Sequence, residues 1–239
     1  MINYQSATIL LPSKNHEQII NSNINKLIDF MSEHFQDFEI LIVSNGSSEE
    51  NEKLLKNKIY NNSKIRVNIS KRAGKGNAVR WGLENAKFEN VIIYDSDFSY
   101  DLQLIHDFFV NGNPKSPFMY ARRVINKKII SKTSFLRLTA GYVFNFIVRK
   151  YLKIPSRDTQ AGLKFINLTK FINATQFINN DYLYDVELFL LSRILKIEPL
   201  NIDVYEVSAN VKSNINLVDD SIEMFKKLKK IKVQYKNLF

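Results

Sequence analysis

No cysteine occurs in the 239 residues, which excludes thiol catalysis, cysteine-ligated metal and disulfide cross-links and leaves the redox compartment open. Glycine and proline are scarce, at seven and five, and they are scattered rather than clustered. With no Pro/Gly/Ser-rich linker, internal repeat or low-complexity tract, the chain reads as one domain with a single sizeable core. Long apolar runs are also missing. The most apolar stretch, residues 135–148, is interrupted by Arg137 and Asn145, whereas a membrane-spanning helix needs about 20 predominantly apolar residues. Residues 1–8 lack a basic segment followed by an apolar stretch, so no signal peptide is expected and a cytoplasmic setting fits. Histidine is sparse: His16, His34 and His106 have no metal-ligand spacing and read as surface or hydrogen-bonded side chains. Acidic residues are outnumbered, 24 against 34 Lys plus Arg, and the net charge of +10 favours an anionic partner. That partner could be a nucleotide diphosphate, a lipid phosphate, an acidic membrane or nucleic acid. A basic nucleic-acid-binding protein is the reading of a different class. No aromatic-rich RNA motif, zinc-finger spacing or helix-turn-helix signature accompanies the charge, so no nucleic-acid partner is expected.

What is present alternates between strand and helix. Thr8-Ile-Leu-Leu-Pro12, Phe38-Glu-Ile-Leu-Ile-Val43, residues 65–69 and Val91-Ile-Ile-Tyr94 read as strands. Between them, residues 17–35 carry Ile20, Ile24, Leu27, Ile28 and Met31 at helical spacing, and Ser47-Ser-Glu-Glu50 has the form of a capping box. Residues 77–86 should be helical, with Ala78, Gly82 and Ala86 placing small side chains on one face for close approach to a sheet. This alternation predicts parallel pairing in an α/β sheet. The second half predicts strands at 118–121 and 162–167, helices over 132–151 and 183–195, an extended segment at 197–207 and a basic terminal helix from Asp219.

Asp95-Ser-Asp97 follows an apolar strand, at the edge of an open α/β sheet where ligands bind. Two hard carboxylates, completed by waters and diphosphate oxygens, suit Mg²⁺ or Mn²⁺; a solvated turn capping the helix near Asp101 is the bland alternative. An EF-hand is set aside because Tyr100 and His106 occupy its glycine and bidentate-glutamate positions. A P-loop is set aside because Ile69 replaces its first glycine and Gly76 stands at its Ser/Thr position. The dinucleotide fingerprint fails where Val79 replaces its third glycine.

Taken together, Pro12-Ser-Lys-Asn15, Gly74-Lys-Gly-Asn-Ala78 with Gly82, Asp95-Ser-Asp97 and Arg157-Asp-Thr-Gln-Ala-Gly-Leu-Lys-Phe165 resemble family 2 glycosyltransferases. The last motif, with Tyr184-Asp-Val-Glu-Leu188, is most similar to the polyprenyl- and dolichyl-phosphate glucosyl- and mannosyltransferases, over residues 8–217. The resemblance implies a GT-A fold: a Rossmann-like, mixed, mostly parallel sheet flanked by helices. It implies a metal-dependent inverting transfer of a hexose from a UDP- or GDP-hexose to a polyprenyl-phosphate-type lipid. A transfer to a hydroxyl of a surface polysaccharide or lipid-linked oligosaccharide is the alternative. Pro12, Lys14, Asn15, Ser44, Asn45, Lys75, Gly76 and Asp95 would bind the donor, and Asp95 and Asp97 the metal. Arg122, Arg123, Arg137, Gln160, Asp185 and Glu187 would face the acceptor, with Asp97 and Asp158 catalytic. Asp158 would orient the acceptor or accept a proton, or serve as a buried structural carboxylate; Asp185 and Glu187 could equally cap a helix or pair with Arg193. Two departures bear on donor choice and metal: Ser44-Asn-Gly-Ser47 replaces the family's Asp-Asp-Gly-Ser, and Ser99 stands where relatives often carry Gln.

The expected organisation is a single domain over residues 1–217 and a basic amphipathic helix over 218–239. That helix presents Lys226, Lys227, Lys229, Lys230, Lys232 and Lys236 beside Ile222, Phe225, Leu228, Ile231 and Tyr235. It would either dock the protein on an anionic membrane surface at the cytoplasmic face, as a peripheral enzyme, or pack on the enzyme's own core.

Overall fold

The structure, a computed structural model, describes residues 4–59, 62–70, 72–124, 135–205 and 217–238. Strands β1 (Ala7–Ser13), β2 (Phe38–Asn45), β3 (Ile65–Ser70) and β4 (Asn90–Tyr94) alternate with helices α1 (Glu17–His34), α2 (Glu49–Ile59) and α3 (Lys75–Asn85). A 3-10 helix (Leu102–Phe108) and the short pair β5 (Phe109–Val110) and β6 (Asn113–Pro114) lead into β7 (Phe118–Arg123). Then come α4 (Phe135–Leu152), β8 (Leu163–Asn167), α5 (Tyr184–Ile194), β9 (Leu200–Val204) and α6 (Leu217–Gln234). The main sheet runs β3-β2-β1-β4-β8-β7-β9. All its strands point the same way except β8, which pairs antiparallel with both β4 and β7. This is the mixed, mostly parallel sheet flanked by helices that the sequence predicts.

Burial follows position in the sheet. Every residue of β1, β2, β4 and β8 is buried, while the edge strands β3 and β9 are largely half-exposed. Strands covered on both faces have no solvent side on which to place polar residues, hence their near-continuous apolar runs. Successive side chains serve opposite layers. Leu10, Leu41, Val43 and Ile93 pack with α3, α4 and α5, whereas Ile9, Leu11, Ile40 and Ile92 pack with α1. Gly82 lets α3 lie against the sheet, because a Cβ there would stand 2.3 Å from Leu10 Cδ1.

The terminal helix belongs to the same core. Leu228, Ile231 and Tyr235 are buried among residues of α4 and α5, and Tyr235 OH donates to Glu187 Oε2 at 2.8 Å. Lys227 pairs with Asp181, and Lys232 lies 4.2 Å from the ring centre of Tyr151. Of the two expectations for this helix, self-packing accounts for its described apolar side; the Ile222 and Phe225 side chains lie outside the described residues. Ile231→Ala should therefore cost about 2–5 kcal/mol in urea unfolding, as a core truncation does. Lys226→Gln, on the exposed side, should change stability by less than about 0.5 kcal/mol.

Candidate functional site

The parallel strands β1, β2 and β4 end together at Ser13, Asn45 and Tyr94, and the reversed β8 starts at that same edge. Asp95 is the first residue past β4. Its N–H donates to the Gly162 carbonyl at 2.9 Å, and a Cβ on Gly162 would meet Asp95 Oδ2 at 2.5 Å. Only glycine allows the Gln-Ala-Gly segment to lie this close to the carboxylate. Tyr100 OH accepts the Gly162 N–H at 3.1 Å and completes the clamp.

Asp95 Oδ1 is buried and lies 2.6 Å from Lys75 Nζ, a charge-assisted hydrogen bond. Asp97 accepts from the Ser99 backbone at 3.0 Å, closing a tight turn. Burial, reinforced by the neighbouring Asp95 charge, holds the Asp97 carboxyl above its usual range. Burial disfavours the charged form of Lys75, yet the Asp95, Asp185 and Asp97 carboxylates outweigh it and raise its pKa. Two carboxylates crowded by like charge at the strand end, one of them countered by the single charge of Lys75, fit a divalent cation. Among the described residues no cluster of three or more metal-ligating side chains occurs, so the rest of the coordination shell would come from a bound ligand and water.

Lys75 opens α3 rather than lying in the loop before it. Gly74 precedes it at φ 119°, where a Cβ would stand 2.0 Å from the Asn180 carbonyl oxygen. Gly76 is equally confined, with 2.3 Å to the Asn179 carbonyl oxygen. Residues 177–181 thus brace the helix start, assisted by Arg80, which donates to Phe177 O at 2.6 Å and to Asn180 Oδ1 at 3.0 Å.

The proposed donor loops are knitted to each other. Asn15, at φ 58°, accepts from Ser48 N at 3.0 Å and donates its own N–H to Ser47 Oγ at 3.0 Å. Ser47 in turn donates to Glu17 at 2.5 Å, and the α2 cap is Ser48. Asn15 therefore ties the end of β1 to the segment before α2, while Lys14 is exposed and Pro12, Ser44 and Asn45 are buried at the strand ends. His16 lies beside the metal motif, 3.0 Å from Ser96 Oγ.

Among the residues expected to face the acceptor, Arg123 grips Asp158 three times: backbone N to Oδ2 at 3.0 Å, Nε to Oδ2 at 2.8 Å and an Nη to Oδ1 at 2.7 Å. Burial opposes the Asp158 charge, but the Arg123 guanidinium prevails and holds the carboxyl below its usual range. Of the readings open to Asp158, a carboxylate held by a bidentate arginine fits a positioning or structural role. Arg122 makes a bidentate pair with Asp203, at 2.7 and 2.6 Å. Arg137 falls in α4 with its side chain outside the described residues, and Gln160 is half-exposed.

Asp185 and Glu187 are both buried at the start of α5. Arg193 donates to the Leu152 and Leu238 carbonyls. Asp185 is buried 2.7 Å from Lys164 Nζ. Glu187, fully buried, accepts from Ile178 N at 3.0 Å, Asn179 N at 2.8 Å and Tyr235 OH at 2.8 Å. It shapes the 177–181 brace. Sequence reasoning missed Lys164 and His16; each adjoins a quoted motif, but nothing in its spacing tells that Lys164 turns inward.

The family model for glycosyl transferase family 2 matches residues 8–161. A dolichyl-phosphate beta-glucosyltransferase of Dictyostelium discoideum is 25% identical over 95% of this chain and 74% of its own length. The human protein of that name is 23% identical over 80% of this chain and 64% of its length, so the chain spans less than two thirds of it. Among solved structures, glucosyl-3-phosphoglycerate synthase of Mycobacterium tuberculosis, in complex with Mn²⁺, UDP and phosphoglyceric acid, superposes with a TM-score of 0.68. It is 14% identical, over 98% of this chain and 78% of that one. Mannosyl-3-phosphoglycerate synthase of Rubrobacter xylanophilus gives 0.65 at 18% identity, over 98% and 75%. The shared architecture is the GT-A fold.

Arg123→Ala should leave Asp158 buried and unpaired, at a cost of about 3 kcal/mol. Because the folded pKa of Asp158 is depressed, the pair's contribution is present in full above the ordinary carboxylate range and is lost as pH falls through the lowered value. Urea unfolding at stepped pH should show the wild-type advantage constant near neutrality and shrinking below about pH 4.

Proposed function

Because the chain belongs to glycosyl transferase family 2 and is a glycosyltransferase, we propose that it moves a hexose from a UDP-hexose to a polyprenyl phosphate, with inversion and with Mg²⁺ or Mn²⁺. The observation that carries this reading is the strand-end pair Asp95 and Asp97, with Asp95 confined between Gly162 and Lys75. The dolichyl-phosphate glucosyltransferase relatives support the acceptor, and the Mn²⁺–UDP complex of a structural neighbour supports the donor. Asp95 and Asp97 would hold the cation, which when bound neutralises negative charge on the departing diphosphate.

The chain's own residues do the remaining work. Lys75 brings a positive charge to the start of α3, where the backbone amides also favour anions. Buried Ser44 and Asn45 at the end of β2 offer neutral hydrogen-bonding groups to the nucleoside, in place of the family's carboxylates. The Ser44 hydroxyl, buried without a partner, is available for such a contact.

The state of Asp158 favours a phosphate acceptor over a hydroxyl. A hydroxyl needs a base to remove its proton, whereas a lipid phosphate arrives ionised. With Asp158 occupied by Arg123, the arrangement suits an acceptor that needs orientation only, and the Arg123 side chain keeps 42% of its surface open for that purpose.

A lipid acceptor requires access to a bilayer, and no described helix is long and apolar enough to cross one. Peripheral contact at the cytoplasmic face is the corresponding localisation. Val143 and Phe146, each about half exposed, stand on α4 with exposed Arg149 and Lys150, a pairing suited to an anionic lipid surface. Phe146→Ser should reduce co-sedimentation with anionic vesicles severalfold, and salt should weaken the wild-type interaction; equal partitioning of both proteins would count against contact through α4.

The catalytic reading is checked by nucleotide release from UDP-glucose with polyprenyl phosphate, in Mn²⁺ and in EDTA. Asp97→Asn should lower kcat about a hundredfold or more with the fold retained. Undiminished turnover would remove Asp97 from the site, and transfer to a sugar hydroxyl but not to polyprenyl phosphate would install the alternative acceptor.

A further inference from the structure

Lys75 gives its ammonium to a carboxylate that the donor-site reading assigns to a cation. Its Nζ lies 2.6 Å from Asp95 Oδ1, and the two side chains are 29% and 27% exposed, so the pair opens on the cleft rather than being sealed in the core. Asp185 also acts on Lys75 electrostatically, but it already has a counter-ion, Lys164, at 2.7 Å with both side chains almost wholly buried. Lys75 is therefore left to Asp95. Its backbone is fixed, since Gly74 and Gly76 press against residues 179–181, while its four-carbon stem can swing.

Charge balance then couples two ligands. Asp95, Asp97 and Asp185 against Lys75 and Lys164 leave one surplus negative charge. A divalent cation alone reverses the sign and competes with the Lys75 ammonium for the same oxygen. A cation arriving with a diphosphate offers Lys75 new anionic oxygens at the helix start, where they are favoured in any case.

We propose that Lys75 is the resting counter-ion of Asp95 and is handed from that carboxylate to the donor diphosphate, so that cation and nucleotide bind cooperatively through this one side chain. The inference rests on the donor site described above, and it makes the coupling reciprocal: nucleotide tightens cation binding by the factor by which cation tightens nucleotide.

The test is Mn²⁺ binding followed by the electron-spin-resonance signal of free Mn²⁺, with and without UDP, corrected for Mn²⁺ held by UDP in protein-free solution. Wild type should bind Mn²⁺ weakly alone and about tenfold more tightly with UDP. K75M, its fold verified by circular dichroism, should bind Mn²⁺ alone about tenfold more tightly than wild type, with the UDP effect reduced below about threefold. K75R should retain the wild-type pattern, and K75Q carries the same expectation as K75M should methionine disturb folding. Equal Mn²⁺ affinity and undiminished coupling in K75M and K75Q would overturn the hand-over and leave the donor site standing. Absence of Mn²⁺ binding by wild type with and without UDP would overturn both.

Discussion

The approach of the Gly162 backbone to the Asp95 carboxylate joins the two halves of this enzyme. Asp95 is placed by β4, the last of the parallel strands of the first half, and Gly162 is the turn into β8, the single reversed strand. The Asp95 N–H to Gly162 carbonyl bond at 2.9 Å and the lack of room for a Cβ make the two segments one object. A carboxylate on a loose loop would swing away from a charged neighbour; here backbone on one side and Lys75 on the other fix it. Pre-organisation of this kind holds the carboxylate in place before any ligand arrives.

The rest of the site is assembled around that point by buried charges. Lys164 neutralises Asp185 inside the protein. Glu187 gathers the backbone of Ile178 and Asn179 and Tyr235, the residue after α6, and the 177–181 segment in turn presses on Gly74 and Gly76 at the start of α3. Lys75 is thereby positioned by a chain of contacts that begins at the end of the terminal helix. Buried ionic groups of this sort add little net stability, but removing one partner leaves the other uncompensated. They therefore impose one arrangement on the elements that carry them.

The two arginine pairs of β7 differ in burial. Asp203 holds Arg122 at the partly exposed edge between β7 and β9. Asp158 is buried, and Arg123 reaches it both from its backbone and from two guanidinium nitrogens. The Asp-Thr-Gln segment is anchored further by Asn145, which accepts from Thr159 N and Oγ1 at 3.3 Å. The asparagine that interrupts the apolar stretch of α4 thus ties that helix to the segment leading to Gly162.

The sequence by itself determined the alternation of buried strands and helices, the small-residue face of α3 and the strand-end position of Asp95 and Asp97. Each depends on side-chain periodicity or on immediate neighbours, which a linear chain displays directly. It also carried the motif order by which the family is recognisable. Partnership between distant ionisable groups was decided only by the tertiary structure. Lys164 and Asp185, Arg123 and Asp158, Glu187 and Tyr235 are well separated in the chain, and whether a carboxylate faces solvent, substrate or a buried cation depends on which strand lies beside it. The reversal of β8 turns Lys164 toward α5, and the packing of Leu228 and Ile231 turns an amphipathic basic helix inward. An apolar face at helical spacing is equally suited to a membrane and to a core, and what lies opposite it in space decides between them.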